Sequence, residues 1–176
     1  SRIHGRGKIV SVSGTDLVPA LLTTPACRGK RIFLLGDHSD SITSVATEFS
    51  SLFPNVNLVG YHHGYFEPEG SSQVIEQINS CKAEILLVGM GTPKQEKWLA
   101  TNSELIDARV QLTVGGLFHY WDNRLNRAPL PFQKIGLEWF CILLQQPYKY
   151  RRYLLGNPLF LLRSIFSRFF YRGEFK

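Results

Sequence analysis

Apolar residues gather in four short runs, at 32–35, 56–59, 85–88 and 110–114, each rich in Ile, Leu and Val, unbroken in the first and third and interrupted by Asn57, Gln111 and Thr113 in the others. Runs of this kind fit strands of a parallel sheet buried on both faces. The stretches between them have helical length and period. Residues 39–52 set Ile42, Val45, Ala46 and Phe49 on one face, 71–81 bring Val74, Ile75 and Ile78 together, and 93–99 turn Trp98 and Leu99 inward. Strand-like and helix-like segments in alternation predict repeated βαβ units, hence an α/β, doubly wound parallel sheet.

Glycines follow the four runs: Gly36, Gly60, Gly89 with Gly91, and Gly115 with Gly116. The carboxyl ends of parallel strands are where an open α/β sheet binds its ligand. Gly36 or Gly60 alone needs no more than a tight turn, whereas four such positions along one edge point to a ligand cleft. The pattern changes after Pro129. Residues 132–146 read as one helix with Phe132, Ile135, Trp139, Ile142 and Leu143 on a face, and Pro147 stops it. A last helix at 159–171 carries a stripe of Leu159, Leu162, Ile165, Phe166 and Phe169. We therefore expect a core over 1–131 and a helical, basic appendage over 132–176.

Charge sharpens this division. The net charge is +6, yet residues 1–123 hold 10 basic and 12 acidic side chains, while 124–176 hold 10 basic ones against Glu138 and Glu174. A nearly neutral body thus carries a strongly basic, aromatic tail. Lys149, Arg151, Arg152, Arg163 and Arg168 stand among Phe, Tyr and Leu, as in a segment lying in the headgroup layer of an anionic membrane. A helix packed on its own core, or a nucleic-acid-binding patch, would share that composition. The longest apolar stretch, 153–162, is too short to span a bilayer. Three spaced cysteines (Cys27, Cys81, Cys141) offer neither a disulfide framework nor a zinc ligand set, so a reducing, cytoplasmic setting is expected. No signal peptide opens the chain, and the absence of an initiator Met suggests a fragment or processed product.

The densest chemistry lies in Gly89-Met90-Gly91-Thr92-Pro93-Lys94-Gln95-Glu96. Thr92 reads as a helix N-cap, Pro93 as the first helical residue, and Gln95 as the partner of Thr92 in a capping box. Glycines admit a ligand to the backbone, and a helix start with Lys94 beside it suits a pyrophosphate. An ordinary, well-capped turn would look the same. Gly115 and Gly116, followed by Arg124 and Arg127, could meet phosphate or sugar hydroxyls, or could be a solvated loop.

Five ordered motifs bear on these alternatives: Gly91-Thr92-Pro93-Lys94-Gln95-Glu96-Lys97-Trp98, Val114-Gly115-Gly116-Leu117-Phe118, Arg127-Ala128-Pro129, Gly136-Leu137-Glu138-Trp139, and Arg151-Arg152-Tyr153-Leu154 with Gly156-Asn157-Pro158. Together with Gly14-Thr15-Asp16-Leu17 they resemble the WecG/TagA/CpsF glycosyltransferases over most of the chain. The resemblance implies a Rossmann-like fold with a helical C-terminal appendage. It implies transfer of a hexose or N-acetylhexosamine, often N-acetylmannosamine, from a UDP-sugar to an undecaprenyl-diphosphate-linked acceptor. Transfer inverts the anomeric centre, at the inner face of the plasma membrane, in exopolysaccharide or teichoic acid assembly. No cofactor or obligatory metal and no nucleic acid are implied, and a homo-oligomer is left open. On this resemblance Gly89, Gly91, Thr92, Pro93, Gln95, Glu96, Gly115, Gly116 and Arg127 fall to the donor site. Arg152 falls to the leaving diphosphate, and Lys149, Arg151, Arg163 and Arg168 to the lipid side.

The chain also departs from the family pattern. The family's Asp base precedes the Gly-x-Asp-Leu element, and residues 1–13 contain no carboxylate, so no residue is assigned as catalytic base. Phe-Asp becomes Phe118-His119, the glycine before Arg-Ala-Pro becomes Asn123, an arginine becomes Ile142, Glu-Pro becomes Gln146-Pro147, and a further arginine becomes Lys149. Losing one charge-assisted contact to the diphosphate costs about 1.5–3 kcal/mol, or one to two orders of magnitude in rate. A non-catalytic paralogue that keeps the nucleotide cleft and the membrane tail is the alternative reading.

Overall fold

In a computed structural model of the chain, residues 14–135, 137–147, 150 and 156 are described. The chain divides into two compact units, one comprising Val12–Arg124 and the other Leu125–Lys176 with Ser1–Ser11.

The larger unit holds four parallel strands, β1 (Arg31–Gly36), β2 (Asn57–His62), β3 (Ile85–Gly89) and β4 (Val110–Thr113), in the order β2-β1-β3-β4. The helices are α1 (Gly14–Leu22), α2 (Ser39–Leu52), α3 (Ser71–Ser80), α4 (Lys94–Asn102) and the short α5 (Phe118–Trp121). Alternate residues of the central strands point to opposite faces. Ile32, Leu34, Ile85 and Leu87 therefore join Val18 and Leu22 of α1, Ile42, Val45 and Phe49 of α2, and Phe118 and Trp121 of α5. Phe33, Leu35, Leu86 and Val88 join Val74, Ile75 and Ile78 of α3 and Trp98 of α4. The sheet is covered on both faces, and the fold is Rossmann-like α/β as expected.

The strands are not equally buried. β1 and β3 are buried as predicted, but β2 and β4 are the edges of the described sheet and are half-exposed. Moreover β2 starts after Val56 rather than at it, and Gly60 lies inside the strand instead of ending it. The β1–β2 register slips between Ile32 and Phe33, where Ile32 pairs with Leu58 and Phe33 with Gly60. A Cβ on Gly60 would meet the Phe33 ring at 2.7 Å, so this glycine makes room for a core aromatic.

In the smaller unit α6 (Leu130–Ile135) and α7 (Glu138–Gln145) replace the single helix expected over 132–146. Leu137 leaves helical geometry (φ −96°, ψ 20°), and its N–H donates to the Phe132 carbonyl at 2.8 Å, which ends the first helix. No α7 residue is buried: of the predicted stripe Phe132 is exposed while Trp139, Ile142 and Leu143 are half-buried, and Phe140 and Leu144, off that stripe, are exposed. Among the described residues no helix is long and apolar enough to cross a membrane.

Candidate active site at the carboxyl edge of the sheet

The chain leaves β1 toward β2 on one side and reaches β4 from β3 on the other, so the direction of winding reverses between β1 and β3. That reversal is where an open α/β sheet forms a ligand crevice. Two glycines face each other there, Gly36 pairing with Gly89. Gly36 has φ +150°, and a Cβ on it would lie 2.5 Å from the Gly89 carbonyl carbon and oxygen. A Cβ on Gly89 would strike the Phe118 ring at 2.8 Å. Both positions require glycine for close approach, which goes beyond the tight turn that Gly36 needs by itself.

The turn from β3 into α4 differs from the predicted cap. The helix begins at Lys94, Pro93 precedes it, the Thr92–Pro93 peptide is cis, and no side chain caps the helix. Thr92 Oγ1 instead donates to Glu96 Oε1 at 3.1 Å, and Gln95 Nε2 donates to the same oxygen at 2.8 Å. These bonds, that from Gln95 first, hold the Glu96 carboxyl below its usual range. Gln95 does not reach back to the Thr92 backbone because its amide oxygen accepts the Gly115 N–H at 3.0 Å. This buried amide joins the β3–α4 turn to the Gly115–Leu117 turn after β4, bringing together two elements far apart in sequence. Gly91 (φ +80°) and Gly115 (φ +58°) both adopt left-handed backbone with open space around the Cβ position.

Lys94 faces another way than expected. Its Nζ donates to the Gly64 carbonyl at 2.8 Å and stands 5.1 Å over the Tyr65 ring, tying α4 to the loop after β2. Gly64 N–H donates to the Asp37 carbonyl at 2.9 Å, and Asp37 N–H to the Gly89 carbonyl at 3.2 Å. His38 stacks on the exposed Tyr65 ring with centroids 4.1 Å apart.

Asp37 escapes the sequence reading. It follows Gly36 with left-handed backbone (φ 61°), a conformation Asp tolerates better than most residues. Its carboxylate, 5% exposed, accepts from the Arg124 guanidinium on both oxygens and from the His38 N–H at 2.8 Å. His119 Nδ1 lies 3.8 Å from Asp37 Oδ2. Burial by itself would raise the Asp37 carboxyl, but the Arg124 bonds, the His38 N–H and the nearby charges of His119 and Arg124 outweigh it and hold the group below its ordinary value. Arg124 also binds the Asp122 carboxylate and the Ser41 hydroxyl. Two carboxylates and a hydroxyl engage its guanidinium, so Arg124 is not simply a solvated loop residue. Asn123, which stands in the place of a family glycine, keeps left-handed geometry (φ 59°) and so preserves the turn that delivers Arg124.

Of the other predicted residues, Arg127 belongs to the smaller unit, where its Nε lies 4.0 Å from Glu138 Oε1. Lys149, Arg151, Arg152, Arg163 and Arg168 lie outside the described residues.

The family model of the WecG/TagA/CpsF glycosyl transferases matches residues 1–174 of the 176-residue chain. The chain belongs to this family. It is therefore a glycosyltransferase-family protein of cell-surface polysaccharide synthesis, and the crevice just described is its candidate active site.

Proposed function

We propose that the protein transfers a hexose or N-acetylhexosamine from a UDP-sugar to a polyprenyl-diphosphate-linked sugar, with inversion, at the inner face of a membrane. The observation that carries this reading is the Gln95–Gly115 bond. Within a chain of this family, it builds one glycine-lined wall from the β3–α4 and β4–α5 turns at the winding reversal. Gly89, Gly91, Gly115 and Gly116 would let the donor approach the backbone, and Thr92, Pro93, Gln95 and Glu96 would fix its orientation. An acceptor hydroxyl attacks the anomeric carbon from the face opposite the departing UDP. Positive charge for the leaving diphosphate is assigned to side chains, Arg152 foremost, rather than to a bound metal. The basic, aromatic sequence after residue 147 supports contact with anionic lipid.

The test is calorimetry of the full chain with UDP and UDP-sugars, followed by assay of UDP release with a short-chain polyprenyl-diphosphate-linked sugar. Binding with acceptor-dependent release supports the reading. Binding without turnover supports the non-catalytic paralogue instead, and no binding of UDP overturns both. Deletion of residues 147–176 should abolish vesicle binding and turnover together.

A further inference from the structure

We infer that Lys94 is a positioning residue for donor binding, holding the loop after β2 in place as a second wall of the crevice. The inference rests on the transferase reading above. Lys94 and Gln95 are neighbours in the first turn of α4, and successive helix residues point about 100° apart. Gln95 takes the β4 side, where it accepts the Gly115 N–H. Lys94 takes the β2 side, donating from Nζ to the Gly64 carbonyl at 2.8 Å. In the order β2-β1-β3-β4 those strands are the two ends of the described sheet. One helix start therefore fixes the crevice from both sides.

The loop lies on the crevice itself. Gly64 is buried, and its N–H donates to the Asp37 carbonyl at 2.9 Å. A Cβ on Gly64 would stand 2.9 Å from Met90 Cγ and 3.0 Å from Gly36 Cα. Its backbone thus rests on the end of β1 and against the turn after β3, where the winding reverses. Gly36 abuts Gly89, and a Cβ on Gly89 would lie 3.1 Å from the Gly115 carbonyl oxygen. Gly64, Gly36, Gly89 and Gly115 form one run of bare backbone, tied at both ends to α4. Beyond Gly64 the loop carries Tyr65, exposed and stacked on exposed His38, and half-buried Phe66. The Phe66 ring meets Trp98 edge-on with centroids 6.2 Å apart, and Lys94 Nζ lies 5.9 Å from the Phe66 centroid. Lys94 and Trp98, one helical turn apart, grip the loop at two points.

The ammonium of Lys94 thus serves the loop twice, through a charge-assisted bond to a carbonyl and through the rings it faces. Without it Gly64 keeps only its bond to Asp37, and Tyr65 loses its cation. The donor must then order the loop as it binds. That cost falls on affinity and leaves the chemical step alone.

The experiment measures kcat and donor KM by UDP release from UDP-N-acetylmannosamine with the polyprenyl-diphosphate-linked acceptor. It adds UDP affinity by calorimetry at two ionic strengths and hydrogen exchange at Gly64 and Gly115. K94M should raise the donor KM and weaken UDP binding about tenfold, with kcat within about threefold of wild type and faster exchange at Gly64. K94R keeps a cation and a donor at that position and should restore UDP affinity to within about threefold. In the wild-type chain UDP should slow exchange at both Gly64 and Gly115. The salt dependence of UDP binding should be the same in K94M as in wild type, since Nζ faces a carbonyl instead of a phosphate. A flattened salt dependence with Gly64 exchange unchanged would make Lys94 a phosphate ligand and overturn the inference. Protection by UDP at Gly115 alone, or wild-type UDP affinity in K94M, overturns it too and leaves the transferase reading standing. A wild-type chain that neither binds UDP nor transfers sugar overturns the transferase reading itself, and the second wall with it.

Discussion

Replacing Arg124 by Met leaves the Asp37 carboxylate buried without its bidentate partner, opposed only by the His38 N–H and by His119. Breaking a buried ion pair by removing one member costs about 3–5 kcal/mol. Arg124 is itself 35% exposed, so water screens part of that loss and about 2–3 kcal/mol is the fitting figure. The loss should depend on pH. In the wild type the native Asp37 value is depressed, so its contribution is complete above the unfolded value of about 3.9 and is lost as pH falls through the lower native value. In R124M burial dominates, the native value rises, and protonation relieves the stranded charge. The gap between variant and wild type should therefore be widest near pH 7 and narrow toward pH 4. With a urea m-value of about 2 kcal/mol/M, the midpoint should fall by about 1–1.5 M at pH 7. Circular-dichroism urea titrations at both pH values read this directly. The double variant D37N/R124M should recover part of the loss, since position 37 then carries no charge to strand, although Asp122 still lacks the guanidinium that binds it. A midpoint unchanged in R124M, or a drop of the same size at both pH values, would refute the account of Asp37 as a carboxylate held ionised by Arg124.

Two further predictions concern the walls of the crevice. G36A forces a methyl group against the Gly89 backbone at 2.5 Å and strains φ, whereas G91A meets nothing within 4 Å and strains φ alone. Urea titration should show G36A losing about 3–5 kcal/mol and G91A about 1–2, and equal losses would remove the close approach as the cause. Q95L leaves the Gly115 N–H without its acceptor. A stability loss of about 1–3 kcal/mol, with faster hydrogen exchange at Gly115 and weaker UDP binding, is expected; unchanged exchange would show that Gln95 does not hold that turn.

The sheet was legible in the sequence because burial on both faces removes polar alternation, and β1 and β3 are buried in that way. The edges were less so. β2 is displaced because the strand ladder continues through Gly60 to His62, beyond the apolar run that marks it in sequence. The break between α6 and α7 was hidden because apolar spacing carries across Leu137, while the backbone there does not. Gly89, Gly91, Gly115 and Gln95 were correctly placed at one edge, but the role of Gln95 was misassigned. A capping box is a local pattern, and the acceptor Gln95 provides belongs to a residue 20 positions away. Asp37 gave no signal because its partner stands 87 positions along the chain. Only the order β2-β1-β3-β4, which periodicity does not supply, brings the ends of β1 and β3 together.

Charge bookkeeping within the larger unit explains how the crevice divides its work. Arg124, which the sequence offered as a phosphate ligand, is bound by Asp37 and Asp122, and Lys94 gives a donor to the Gly64 carbonyl. The cations nearest the winding reversal thus serve protein groups first. What is left at the end of β1 is a buried negative charge, Asp37, held fixed by Arg124. What is left after β3 and β4 is glycine backbone, a buried amide and two left-handed turns, which favour shape and hydrogen bonding. On the proposed function, positive charge for the leaving diphosphate comes from the basic excess that the sequence concentrates in residues 124–176. Neutralising Arg152 should therefore weaken UDP binding and flatten its salt dependence, read by calorimetry at two ionic strengths. UDP affinity untouched by that change would show that this positive charge does not serve the leaving group.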